Sequence, residues 1–517
     1  MNISWGSRKF EANGLVVLFS LIAVVLRIAF WAYTGRVWED SLIALASVQN
    51  MWDGLGLTQH VGEAPIYSFS SPLDVIVLAL GEWARQGITV IRLASLASSV
   101  IAIVLAGKIF ERCDVNRVGQ IACFSYLACD HLQIFFGMSG METQMATALG
   151  IALVYFSISQ NAWAFGVSCG LAILARLELA VVVAVCAIPF LVDFVRFVGD
   201  TKTRGRIVKI AIATFGLLVP WVAFTTIYYG TPVPQTVTVK SFANGSPGLS
   251  GAGGYLDHMW KQVAPFREFW FVNTAPLPDA LLKIVVAVMV LLALVGLFAA
   301  IWNRSPIWTA GLSALGFWTY MVLCHVNPYF MWYTPPFIAI TFLTIAYGIS
   351  ALNSMSRSGA IILSTLSVVA YAIHLPFTLP LDRMQQISIE DGVRQRTGIA
   401  LREMMKPGDT VYLEPLGYVG SEVRTRTVYD NPGLASKVAF QAYKKYGYKM
   451  MEALRPNFLV LRVGDIPLVE SQMPDLLSGY TQCFHIDSGT GNYLSLHGLS
   501  YSIGGDHEFF IYKRKSM

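Results

Sequence analysis

A chain of 517 residues that is 55% hydrophobic and 13% charged, with a mean hydropathy of +0.55, has more apolar side chains than a water-soluble core can hide. It reads as a polytopic α-helical membrane protein. Its net charge of +5 is spread over short loops rather than one basic stripe, which excludes nucleic acid as a partner.

The first apolar run, Gly14 to Thr34, is long, and no small-residue cleavage site follows it, so it is expected to stay as a span. Further runs of spanning length recur near 89–110, 118–137, 142–160, 162–175, 178–197, 207–229, 281–302, 306–325, 333–352 and 358–379. That predicts about eleven transmembrane helices. The apolar stretch Pro72 to Trp83 is only half a span and reads as re-entrant or interfacial. Charge tests this count. With Arg8 and Lys9 in the cytoplasm, the clusters Lys108/Arg112/Arg117 and Arg196/Lys202/Arg204/Arg206/Lys209, then Arg304 and Arg357, all fall inside. Counting 72–83 as a crossing would push the first cluster outside. The same count puts the loop 35–88, Glu142, Arg176, Lys240 and the C-terminal tail on the extracytoplasmic face. The seven cysteines lie mostly within the apolar runs and show neither a disulfide framework nor zinc spacing.

The pattern changes after Pro380. Residues 1–380 form the transmembrane part, and 381–517 read as a small extracytoplasmic α/β domain. Its expected helices are Asp391 to Met405 and Ala435 to Leu454; its expected strands are Thr410 to Leu413, Phe458 to Val463 and segments around 493–497 and 508–513. It contains no dinucleotide loop, P-loop or His-Glu-x-x-His helix, so it is expected to bind or cover rather than catalyse.

The candidate site lies on the outer face. Glu39 and Asp40 follow the first span directly, where partial desolvation raises the proton affinity of a carboxylate toward that of a general base. Glu142 sits in the tight turn Ser139 to Thr143, Arg176 in the turn before Glu178, and Lys240 beyond Tyr228 to Gln235. Each also has a plain explanation. Glu142 is equally well a helix-start acid, Arg176 and Glu178 can pair across their turn, and Lys240 can be solvated. Converging carboxylates and cations suit transfer of a group from a lipid-linked phosphate. Asp40 would take the proton of the incoming hydroxyl, and Arg176 and Lys240 would hold the departing phosphate. Trp38, Tyr67, Trp332 and Tyr333 are candidates for packing on a sugar or prenyl tail, or for anchoring at the interface. His60 and His325 are lip residues, structural or in contact with substrate; with His258 they lack the helical spacing of metal ligands.

Trp38-Glu39-Asp40-Ser41-Leu42-Ile43, Gly54-Leu55-Gly56, Gly62-Glu63, Tyr67 to Leu73, Ser139 to Thr143, Leu174 to Glu178 and Tyr228 to Pro234 together resemble the integral-membrane glycosyltransferases of the GT-C superfamily, nearest its arabinofuranosyltransferase-like branch. Pro407-Gly408-Asp409 and Leu413 to Gly420 resemble that branch's outer domain. The resemblance implies a multi-pass protein of the bacterial inner membrane with its active site and C-terminus in the periplasm. It implies inverting transfer of a sugar, arabinofuranose among the candidates, from a polyprenyl-phosphate donor to a hydroxyl of a periplasmic glycan, lipid or protein. Relatives carry Asp-Asp where this chain has Glu39-Asp40, which favours Asp40 as the base. Some members use a divalent cation such as Mg or Mn, for which Glu39, Asp40 and Glu142 are the candidate ligands. The competing readings are a transporter or flippase for lipid-linked sugars, and a non-catalytic assembly protein. No internal repeat is seen and the conspicuous charges lie at one surface rather than near the midplane, which weighs against transport.

Overall fold

The computed structural model describes residues 14–197, 199–244, 263, 278–324, 330–490 and 506–515. The membrane part is built from α1 (Gly14–Thr34), α2 (Glu39–Trp52), α3 (Pro72–Glu82), α4 (Gly87–Arg112), α5 (Arg117–Cys129), α6 (His131–Met138), α7 (Thr143–Ile158), α8 (Ala162–Ala175), α9 (Ala180–Arg196), α10 (Thr201–Tyr229), α11 (Gln235–Asn244), α12 (Asp279–Trp302), α13 (Trp308–Leu323), α14 (Thr334–Met355) and α15 (Arg357–Gln385). Among the described residues eight helical stretches are long and apolar enough to cross a membrane, with α7 and α8 as shorter apolar helices. This is a multi-pass helical membrane protein. α3, with 11 residues, reaches only about 16 Å, half the thickness of a hydrocarbon core.

The run read as one span at 118–137 is two helices, and the reason is Asp130. Its backbone leaves the helix at φ −62, ψ 128, and its carboxylate caps α6 by accepting from the Gln133 N–H at 3.0 Å. The break leaves the Leu127 and Ala128 carbonyls without helical partners, and buried Arg27 of α1 donates to each at 3.1 Å and to Gln144 Oε1 at 2.9 Å. An arginine in an apolar span is thus accounted for by backbone satisfaction. The α5–α6 pair and α14 lie at the centre of the bundle, where Tyr126 stacks on Phe342 at 4.5 Å, while α10 and α12 expose most of their surface.

Beyond α15 the chain continues without a stop through a π-helical segment, Gln386–Gln395, into α16 (Arg396–Met404). The C-terminal α/β domain then adds β1 (Thr410–Leu413), α17 (Tyr418–Glu422), β2 (Thr427–Asp430), α18 (Lys437–Tyr446), α19 (Met450–Leu454), β3 (Phe458–Arg462), α20 (Ile466–Gln472), β4 (Tyr480–Asp487) and β5 (Glu508–Arg514). The sheet order is β2-β1-β3-β5-β4, with β1 parallel to β2 and β3, and β5 antiparallel to β3 and β4. The expected helix 435–454 is split at Gly447, whose φ of 57 ends α18. β2 and β4 were not anticipated. β2 is four residues long, too short to show alternation, and β4 is an edge strand whose residues are mostly exposed. The strand expected around 493–497 lies outside the described residues.

Candidate active site

α2 begins at the acidic pair because the chain is pinned there. Trp38 N–H donates to the Ser139 carbonyl at 2.9 Å, and Ser41 Oγ donates to the Trp38 and Ser139 carbonyls at 2.6 and 3.1 Å. The Trp38 ring is buried against Phe135, Phe136 and Trp332. These contacts hold the first turn of α2, and so both acids, against the turn that carries Glu142. The two acids then diverge in role.

Glu39 turns to the C-terminal domain. Its carboxylate accepts from the Gly417 N–H at 2.5 Å and the Tyr418 N–H at 3.4 Å, at the start of α17, and meets Arg394 at 3.3 Å. Burial, opposed by Arg394, lifts its pKa to about 7. Gly417 is glycine for a steric reason, since a Cβ there would lie 2.2 Å from the Glu39 carbonyl oxygen. Arg394 also binds Glu390 at 2.9 Å and, very closely, Asp506; Glu390 in turn holds Arg36 at 2.9 Å. This buried chain of charges fastens the first loop to the C-terminal domain.

Asp40 faces the other way, toward Lys240 and Arg176. Burial raises its pKa, and those two cations work against the rise. Arg176 follows α8 as its C-cap, at a break where the backbone turns extended before the short helix Leu177–Leu179. Its guanidinium pairs with Glu142 at 2.9 Å, donates to the Trp332 carbonyl at 3.0 Å and lies 4.4 Å from the Tyr333 ring centre. Its Nε is buried with no hydrogen-bond partner, because Glu178 is 3.8 Å away. Lys240 projects from α11, whose start is tied by Gln235 N–H to the Tyr67 carbonyl at 2.8 Å. Its Nζ lies over Phe330 at 4.7 Å, Trp332 at 5.7 Å and Tyr333 at 5.9 Å, so aromatic faces hold the ammonium. Glu142, Arg176, Glu178, Lys240, Tyr320 and Tyr333 line one cavity of about 240 Å³.

Several expected residues fall elsewhere. Tyr67 is buried in an aromatic cluster, stacked on Tyr229 at 5.2 Å and accepting from Trp221 Nε1 at 2.9 Å; its backbone, not its ring, serves the site by placing α11. His60 is also buried. Its Nε2 meets the Ala435 carbonyl at 3.0 Å, its Nδ1 accepts from Gly62 N–H at 3.2 Å, and burial lowers its pKa to about 4. It fastens the first loop to the C-terminal domain and does not line the cavity. His325 lies outside the described residues. Glu142 starts α7 but makes no cap bond with its side chain, so pairing with Arg176 accounts for it instead. Tyr228 and Tyr229 grip Leu57, one accepting from its N–H at 2.9 Å and the other donating to its carbonyl at 2.7 Å.

Of the acids named for a divalent cation, Asp40 and Glu142 lie in electrostatic reach of each other, while Glu39 turns away to the C-terminal domain. Among the described residues no three His, Cys, Asp or Glu side chains are grouped for metal ligation, and Glu39 and Glu142 are committed to Arg394 and Arg176. The residues present do not fit such an ion. Asp74, a buried carboxyl near Glu142 and Arg176, was not singled out in the sequence. The signal that could have found it is its place on the short apolar stretch 72–83, where Asp74 stands among apolar residues near one end and Glu82 near the other.

A larger groove of about 520 Å³ opens between α2 and the C-terminal domain. It uses Leu42, Leu45 and Gln49, the face of α2 turned away from Asp40, and its charges balance, Asp391 and Glu422 against Arg402 and Arg424. The smaller cavity has the same balance, Glu142 and Glu178 against Arg176 and Lys240, but it is the better centre for anion chemistry because Asp40 lies in electrostatic reach of both its cations and the Arg176 Nε has no hydrogen-bond partner there.

No family model matches the chain, and no curated protein does. Among solved structures it is similar to ArnT from Cupriavidus metallidurans bound to undecaprenyl phosphate, at 13% identity and a TM-score of 0.49, over 97% of this chain and 98% of that one. The apo state of the same protein gives 13% identity and a TM-score of 0.47, over 89% and 95% of the two chains. The arabinosyltransferase EmbB from Mycobacterium smegmatis gives 9% identity and a TM-score of 0.44, over 74% of this chain but 42% of that one.

Proposed function

We propose that the protein is an inverting membrane glycosyltransferase that moves a sugar from a polyprenyl-phosphate donor to a hydroxyl of an extracytoplasmic acceptor, with Asp40 as the base. The observation that carries this reading is the placing of Asp40 in electrostatic reach of two cations that line one cavity, the half-buried Lys240 and the buried Arg176 with its unsatisfied Nε–H. A buried donor without a partner costs free energy unless a ligand fills it, and a phosphate oxygen does so with a charge-assisted bond.

In the reaction the acceptor oxygen attacks the anomeric carbon on the face opposite the phosphate. The bond from that carbon to the phosphate oxygen breaks, and its electron pair stays with the phosphate, which Arg176 and Lys240 neutralise. The hydroxyl proton passes to Asp40. The leaving phosphate is a weak base and needs no general acid, so one carboxylate suffices. Glu39, held by Gly417 and Arg394, keeps the first turn of α2 in place. The mechanism requires the outer orientation that the loop charges favour, with the cavity facing away from the cytoplasm.

The test is to present the purified protein in lipid nanodiscs with polyprenyl-phosphate pentoses and hexoses and with candidate acceptors. Release of polyprenyl phosphate with formation of a glycoside of inverted anomeric configuration is expected. Retention of configuration, or no release with any donor, overturns the reading. Lys240→Ala is expected to raise the KM for donor about tenfold, the worth of one hydrogen bond to a charged group, and to change kcat less, since Arg176 still meets the phosphate. An unchanged KM in steady-state assays removes Lys240 from the phosphate site. Because Asp40 works ionised and burial raises its pKa, transfer is expected to fall as pH drops through that raised value. A rate that holds through the acid range would show that no buried carboxylate acts as base.

A further inference from the structure

Asp74 stands at the third position of α3, after the cap residue Ser71, whose Oγ accepts from the Asp74 N–H at 3.2 Å. Ser-x-x-acid is the spacing of a capping box, in which the acid returns a bond to the Ser71 N–H. Among the described residues that return bond is not made. The residue is only 4% exposed, and its Oδ1 is buried with no hydrogen-bond partner. A capping role therefore does not explain the carboxyl.

The charges around it narrow what it does. Glu142 and Arg176 act on it directly, and Glu142 already pairs with Arg176. α8 carries no charged residue. From α4, Arg92 is spent on the Met138, Gly35 and Arg36 carbonyls, while Lys108, Glu111 and Arg112 lie at that helix's other end. From α2, Glu39 is tied to Gly417 and Arg394, Asp53 to Arg85 and Arg424, and Asp40 faces Lys240 and Arg176. Glu82, at the far end of α3, is bound to Gln49, Arg85 and Gly87. Were Asp40, Asp74, Glu142 and Glu178 all ionised, four negative charges would face the positive charges of Arg176 and Lys240. The cavity would then repel the phosphate it is proposed to receive.

Resting on the reading above, we infer that Asp74 is a positioning residue of the transfer site, a neutral carboxylic acid that holds one proton for the Asp74–Glu142 pair and so keeps a further negative charge from joining Glu142 and Glu178 beside Arg176. Two buried carboxyls beside one cation cannot both ionise cheaply, and the one lacking hydrogen-bond donors keeps the proton. Burial first, and Glu142 next, push the Asp74 pKa well above the ordinary carboxyl range, with Arg176 opposing. As pH rises through that value the proton leaves, a further negative charge joins those of Glu142 and Glu178 beside Arg176, and phosphate affinity falls.

The test uses the full chain in nanodiscs and a prenyl methyl phosphodiester, whose single charge does not change over the range. For the wild type its Kd is expected to rise about tenfold as the pair titrates, the equivalent of one pKa unit of coupling. Asp74→Asn, neutral at every pH, should abolish that rise and remove a protonated-carboxyl carbonyl band from the infrared spectrum. Glu142→Gln, the second variant in case Asp74→Asn does not fold, should shift the titration of that band to lower pH. A rise in Kd that persists in Asp74→Asn, or a wild-type spectrum in which the band is absent, overturns the inference. Both readouts are independent of turnover. If the protein transfers no sugar but the band and its titration are present, the functional reading fails and the protonation of Asp74 stands.

Discussion

Asp40→Asn is expected to lower sugar transfer about 10²–10⁴-fold, the usual contribution of a positioned general base, while the donor still binds. The amide has the shape of the carboxylate but cannot take the hydroxyl proton. Arg176 and Lys240 are untouched, so phosphate affinity should hold or improve once the negative charge facing them is gone. Single-turnover measurement with labelled donor, together with a direct donor-binding titration, separates the two effects. Glu39→Gln gives the contrast. It keeps an acceptor oxygen for the Gly417 N–H but loses the second oxygen, which accepts from the Tyr418 N–H and Arg394; because Glu39 holds α2 and does not take the proton, its transfer should still stay well above that of Asp40→Asn. A stably inserted Asp40→Asn protein that works at the wild-type rate, or a Glu39→Gln protein as inactive as Asp40→Asn, would move the base to another residue.

Arg394→Ala should have the largest effect on stability. Its side chain is 9% exposed and serves Glu39, Glu390 and Asp506 together. Removing one partner of a buried ion pair costs about 3–5 kcal/mol, because the charges left behind stay buried without compensation. Arg36 still holds Glu390 and Arg462 still reaches Asp506 at 3.4 Å, which limits the loss at those two acids; among the described residues Glu39 has no second arginine. The damage should therefore concentrate where the first loop meets the C-terminal domain. Hydrogen exchange is expected to accelerate in 386–395 and in α17, with a lower melting temperature, while exchange at the centre of the helical bundle changes little. Unaltered exchange at 386–395 would show that the charges are not what fastens the two parts.

Hydropathy is a local property, so the apolar runs were readable and each coincides with a helix or helix pair, down to the short α3. The acidic pair was readable for the same reason, because two charges stand out directly beside an apolar run. Strands β1, β3 and β5 were visible as compact runs between turn residues; β2 was too short and β4 too exposed to show their period. The break at Asp130 was missed because an aspartate inside an apolar run looks the same whether it caps a helix or interrupts one.

Which polar side chain meets which could not be read along the chain. Glu39 finds its partner 378 residues away at Gly417, and His60 finds the Ala435 carbonyl 375 residues away. Neither separation leaves a trace in spacing or composition. The sequence alone determined a multi-pass helical protein with acids at the mouth of its first span and cations in later loops. Only the tertiary structure separated Glu39 from Asp40, withdrew Tyr67 and His60 from the cavity and brought Asp74 beside Glu142. The physical reason is that burial and charge pairing decide what a carboxylate does, and both are set by groups from distant parts of the chain.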